Sequence, residues 1–190
     1  MYSLFIDTHD KNVVIIIFKD GKVYKMKNVE SKNKHSEITM PTIDSLFSEA
    51  KLDIKDIKEV IVVNGPGSFT GERIAVTIGK TIAYCLNIPI KVIDSLSIIA
   101  VNVDKDPKYV SLPDRNGAFV GVFDKNNKIV EDFVYLNKSN YEEYVNKHDV
   151  VNNIDIDYEK VYDLVKNIKS VNPHEAKPLY VKGISALNDK

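Results

Sequence analysis

One stretch limits the folds open to this chain more than any other. The apolar run Val60-Ile61-Val62-Val63 leads into N-G-P-G-S-F-T-G-E-R over 64–73, and a helical pattern then continues to Leu86. A buried strand, a glycine loop and a helix N-terminus in succession belong to an α/β layer. The loop carries Gly65, Gly67, Ser68, Thr70, Gly71 and Arg73, and holds three of the chain's eight glycines. Such a loop suits an anion at the helix N-terminus. It suits equally a turn in which one backbone must pass close to another.

Two nucleotide motifs fail on inspection. Gly79-Lys80-Thr81 imitates the end of a phosphate-binding loop, but position 74, where the first glycine belongs, is Ile. The tripeptide also lies inside the helix rather than ahead of it. Gly65-x-Gly67-x-x-Thr70-Gly71 misses the dinucleotide fingerprint because Thr70 occupies the third glycine's place.

The helix expected over 71–86 has more apolar surface than one contact needs. At about 100° per residue, Ile74, Ile78, Ile82, Cys85 and Leu86 form a stripe wide enough to seat it on a sheet. Ala75, Gly79 and Ala83 stand four apart on a second face, with Val76, Lys80 and Tyr84 around them. This ridge of small side chains admits a close helix crossing. Either a second helix of the same chain or a partner's helix fills it. Cys85 is expected to be buried.

Taken in order, residues 2–7, 12–19 and 22–29 read as three antiparallel strands, with Asp20-Gly21 as a tight hairpin turn. A helix follows from an N-cap at Ser36 to Lys51, with Met40, Ile43, Leu46, Phe47 and Ala50 on its apolar face. Pro41 marks either its start or a bend. Then come a strand at 58–63, the central helix, a strand at 90–93 and a helix capped by Asp94 or Ser95. Three antiparallel strands followed by β-α alternation is the arrangement of a ribonuclease-H-like lobe, with a mixed sheet and helices. The boundary falls at 103–108, giving an N-terminal lobe over 1–103 and a reduced second lobe over 104–190. In the second, strands are expected at 109–112, 118–123 and 128–136, helices at 140–147 and 155–169, and a last strand or ordered extension at 178–182.

Composition excludes several classes. The formal net charge of −1 lacks the footprint of a stand-alone nucleic-acid binder. The longest apolar run, 13–18, is too short to span a bilayer, and no secretory signal is seen. One cysteine in 190 residues excludes an internal disulfide framework and fits a reducing, cytoplasmic setting. Only two residues are arginines, Arg73 and Arg115, in a chain that otherwise uses lysine. Both positions are therefore expected to need a planar, bidentate cation.

Catalytic signals are sparse. His9, His35, His148 and His174 form no i, i+4 pair to grip a metal. Ser68 lacks a nucleophile elbow, since position 66 is Pro. No glycine stands in Asp7-Thr8-His9-Asp10, and the later glycines are too scattered to build an adenosine loop. Asp7 and Asp114 remain as carboxylates that an interlobe cleft would bring together.

These residues resemble the bacterial TsaB (YeaZ) family. The likeness rests on Ile6-Asp7-Thr8, on His35-Ser36-Glu37 through Met40-Pro41, and above all on the run from Asn64 to Ile74. Asp114-Arg115 and Pro178-Leu179-Tyr180 add to it. Glu72 departs from the family's usual aliphatic residue, Val181-Lys182 replaces a usual Leu-Arg, and the second lobe is shorter. The resemblance implies an actin-like ASKHA fold and a non-catalytic subunit in tRNA threonylcarbamoyladenosine biosynthesis. It implies a TsaD-like catalytic partner, a TsaE-like ATPase, tRNA reached only through the complex, and a homodimer when alone. No metal or cofactor of its own is expected, with ATP or ADP bound only beside partners. It places the partner interface on the ridge Ala75, Val76, Gly79, Lys80, Ala83 and Tyr84, alongside Met40, Ile43 and Phe47. The alternative from the same fold is a weak ATPase or small-molecule kinase.

Overall fold

A computed structural model describes residues 1–181; Lys182 and the rest of the expected tail lie outside them. Three strands, β1 (Tyr2–Asp7), β2 (Asn12–Lys19) and β3 (Lys22–Glu30), open the chain as an antiparallel meander. Asp20 and Gly21 turn the second hairpin, both with positive φ, as a two-residue primed turn requires. Helix α1 (His35–Ala50), strand β4 (Ile57–Val63), helix α2 (Phe69–Leu86), strand β5 (Ile90–Ile93) and helix α3 (Ser95–Ala100) complete the first half. β4 and β5 join parallel to β1, so the five-stranded sheet runs β3-β2-β1-β4-β5.

The second half forms a four-stranded sheet in the order β8-β7-β6-β9, from β6 (Lys108–Asp114), β7 (Gly117–Phe123), β8 (Ile129–Asn137) and β9 (Val150–Val151). Helix α4 (Lys138–Lys147) follows β8, and helix α5 (Tyr158–Val165) comes last. The element order matches the sequence reading, with β9 and a single helical turn at 54–56 added. Helix α1 starts at His35 and has no side-chain cap, so Ser36 sits in its first turn rather than capping it. Pro41 lies inside that helix without ending it.

Both faces of the first sheet are covered. Leu4, Ile6, Ile15, Ile17, Val60 and Val62 point to the side of α1 and α2. Phe5, Val14, Ile16, Phe18 and Ile61 point to the other, where Val161, Tyr162 and Val165 of α5 meet them. The two sheets lie on either side of residue 103 in the chain, and α5, which follows the second sheet, packs on the first. Helix α3 lies between the halves, with Leu96, Ile99 and Ala100 packed against Val110, Phe119 and Phe123 of the second sheet.

Helix α2 sits on the sheet the opposite way round from the sequence expectation. Ala75 and Ala83 are fully buried, Val76 is nearly so, and Gly79 rests on β4, where any side chain would collide with Val62 Cγ1. The larger residues Ile74, Ile78 and Ile82 stay half-buried, and Cys85 is exposed. The small ridge is thus the sheet-facing surface, which lets the helix axis approach the strands closely. On α1, Ile43 and Phe47 are likewise core residues. Of the nine expected interface residues, Lys80 is half-buried, while Tyr84 (64% exposed) and Met40 (50%) stand clear of the core.

Candidate functional site

The glycine loop is held from three sides. Asn64 N–H donates to Ile93 O at 3.0 Å, continuing the pairing of β4 with β5. Ser95 donates to Gly65 O through its N–H (2.9 Å) and to Pro66 O through its hydroxyl (2.5 Å). Ser68 N–H reaches back to His9 O at 2.7 Å, and Thr8 Oγ1 donates to Gly71 O at 2.6 Å. Ser68 also caps α2, its hydroxyl accepting from Gly71 N at 3.2 Å. Thr70 is exposed beside it.

The glycines are required by these close approaches. A Cβ at Gly71 would strike Thr8 O, and one at Gly67 would strike His9 O. Gly65 has φ 106° and lies against the Glu72 carboxyl. Of the two readings open to the sequence, anion cradle and close backbone packing, this geometry supports the second.

Four ionisable groups sit beside the loop: Asp7, His9, Glu72 and Asp94. Asp7 is buried, and its Oδ1 accepts from both His9 N–H (3.0 Å) and His9 Nδ1 (2.5 Å). Burial by itself lowers the His9 pKa, but the charge and hydrogen bond of Asp7 outweigh it, and the net shift is upward. Glu72, 3% exposed, is pushed up to about 7 by burial, against the opposing pull of the Gly67 N–H and of His9. Asp94, the N-cap of α3, is also raised by burial although Ser97 N–H and Oγ both donate to it at 2.7 Å.

The two expected cleft carboxylates line different cavities. Asp7 borders one of about 540 Å3 with Asp10, Asn12, Asn28 and Asn152. Asp114 borders two smaller ones, about 170 and 240 Å3, on either side of Gly67 and Ser68. It accepts from Arg115 N–H at 2.6 Å and from the Tyr135 hydroxyl at 3.2 Å. Among the described residues no group of three or more His, Cys, Asp or Glu is placed to hold a metal ion.

Arg73, a position expected to need a planar, bidentate cation, meets aromatic groups. Its Nε donates to the Tyr180 hydroxyl at 3.1 Å, and its guanidinium lies 4.4 Å from the Phe69 ring centre. The Phe69 and Tyr180 rings are themselves 5.2 Å apart. Leu179 N–H donates to Asn64 O at 2.8 Å, and Asn64 Nδ2 donates to Lys177 O at 3.1 Å. The extension at 177–181 is thus strapped across the loop. It forms no strand. Sequence reasoning missed Glu72, His9 and Tyr180 as members of this site. A clue was available for Glu72, a charged residue at a position where the resemblance leads one to expect an aliphatic one.

Comparison with known proteins agrees with this architecture. A family model described as TsaD, tRNA N6-adenosine threonylcarbamoyltransferase, matches residues 29–130. The chain is 36% identical to the tRNA threonylcarbamoyladenosine biosynthesis protein TsaB of Bacillus subtilis (strain 168), over 54% of this chain and 44% of that one. The corresponding Buchnera aphidicola (subsp. Schizaphis graminum) protein is 34% identical over 51% and 46%. The match thus spans less than half the length of these relatives. The uncharacterized protein MG208 of Mycoplasma genitalium is 27% identical over 95% of both chains. Two solved structures from Pseudomonas aeruginosa, one described as similar to peptidase YEAZ and one as YeaZ, superpose with TM-scores of 0.79 and 0.77. Both are 16% identical; they cover 95% and 94% of this chain and 99% of their own. The fold is therefore the mixed α/β architecture of these two structures. No helix among the described residues is long and apolar enough to cross a membrane.

Proposed function

The chain belongs to the TsaB (YeaZ) family, and from that membership we propose that it is a non-catalytic subunit in tRNA threonylcarbamoyladenosine biosynthesis. It seats a TsaD-like catalytic subunit on the outer faces of α1 and α2, and the same face pairs two copies when the partner is absent. A TsaE-like ATPase and the tRNA join through the assembled complex, and any nucleotide binds there rather than to this chain alone.

The observation that carries this reading is the way α2 divides its apolar surface. Its small residues are spent on β4, so the larger stripe Ile74, Ile78 and Ile82 remains partly open beside exposed Tyr84 and Met40. The inward closure of the glycine loop on Thr8 and His9 supports the non-catalytic part of the proposal. The test is a reconstituted modification assay with the TsaD-like subunit, with and without this chain. Modification that depends on the chain, and fails with Ile78→Asp, is expected. ATP turnover by the pure chain, abolished by Asp7→Ala, would return the kinase reading.

A further inference from the structure

Glu72 presents an imbalance that the fold does not resolve. Its carboxyl is almost fully buried, yet no lysine or arginine among the described residues forms an ion pair with it. Among the described residues the Gly67 N–H donates to it, and the nearby His9 is already engaged by Asp7. Buried carboxylates are otherwise paired with a cation or neutralised. The carboxyl borders a cavity of about 170 Å3, whose walls include Phe69, Phe119, Tyr180 and Asp114. Aromatic walls around an acidic floor are the surroundings that organic ammonium ions seek, through the negative faces of the rings. Arg73 already uses the Phe69 ring in this manner from its own position on α2, while its Nε donates to the Tyr180 hydroxyl.

We propose that the cavity between the start of α2, β7 and the 179–181 extension binds a small organic ammonium ion, with Glu72 as its counter-charge. The carboxylate of Glu72 supplies the charge, and the rings a shell that a strongly hydrated metal ion would not favour. The inference is independent of the proposed scaffold role.

The experiment titrates the full chain with tetramethylammonium and propylammonium, and with tert-butanol as the uncharged control, following the Phe69, Phe119 and Tyr180 resonances. Saturable shifts with the two cations and none with the alcohol are expected. Because the ion needs the carboxylate, and the free carboxyl titrates at about 7, apparent affinity should be roughly tenfold higher at pH 8 than at pH 6. The charged and titratable groups around Glu72 are His9 from the β1–β2 turn, Asp114 and Tyr180 across the cavity, and Arg73, its neighbour on α2, which is turned to Phe69 and Tyr180. Glu72→Gln retains all of them, so a pH effect that persists in it belongs to them and counts against the proposal. Equal binding by Glu72→Gln, equal shifts with tert-butanol, or no saturation with either cation would overturn it. Should Glu72→Gln fail to fold, a Glu72 midpoint in the wild type that does not fall on adding tetramethylammonium is equally contrary.

Discussion

At Gly79, packing outweighs helix propensity. Alanine in mid-helix gains about 1 kcal/mol over glycine in isolation, but here the added methyl would enter the space of Val62 Cγ1. Overfilling a packed interface costs roughly 1–3 kcal/mol. Gly79→Ala is therefore expected to lower the melting temperature, and Gly79→Leu to prevent folding. A melt in which Gly79→Ala gains stability would show that α2 rides higher on the sheet than described. Glu72 gives a second prediction at this scale. Its folded pKa of about 7 lies above the ordinary 4.5, so the folded state holds the proton more tightly. The stability this contributes is fully present below about pH 4.5 and is lost as pH rises through 7. The raised His9 pKa acts in the same sense. Melting across pH 5–8 should show a fall in wild type that is smaller in Glu72→Gln; parallel curves would contradict the assignment.

Among the elements, strands and helices were readable because each carries a period, but the orientation of α2 was not. Hydrophobicity ranks Ile74, Ile78 and Ile82 above Ala75, Gly79 and Ala83, and so points the larger residues inward. Volume decides the other way, since only small side chains allow the helix to settle on Val60 and Val62. Arg73 was singled out by its rarity, but its partner Tyr180 stands 107 positions away and no local pattern links them. The strap they form yields a prediction. Arg73→Lys keeps the charge but loses the Nε donor and the planar stack. Hydrogen exchange at the Leu179 amide, which bonds Asn64 O, should quicken while the melting temperature moves by only a few degrees. Unchanged exchange there would mean that the strap does not depend on the arginine.

For the molecule as a whole, β-α alternation predicted a five-stranded first sheet, and the residues around Asn64 to Ile74 predicted the family. The return of α5 to that sheet was not legible, because its apolar face, Val161 and Val165, states that a surface is covered but not which one. A chain ending at residue 103 would expose Phe5, Val14, Ile16, Phe18 and Ile61 together. Such a fragment is expected to aggregate or bind hydrophobic dye rather than melt cooperatively. A cooperative melt would support the two-lobe division at 103/104.

The central claim, that the outer face of α2 receives a TsaD-like subunit, is tested most directly by calorimetric titration of that subunit with wild type, Ile78→Asp and Tyr84→Asp. Each variant is first shown by melting to be folded. The account predicts saturable one-to-one binding by wild type and a loss of at least tenfold in affinity for both variants. Undiminished binding by folded Ile78→Asp and Tyr84→Asp would contradict it and place the docking surface elsewhere on the molecule.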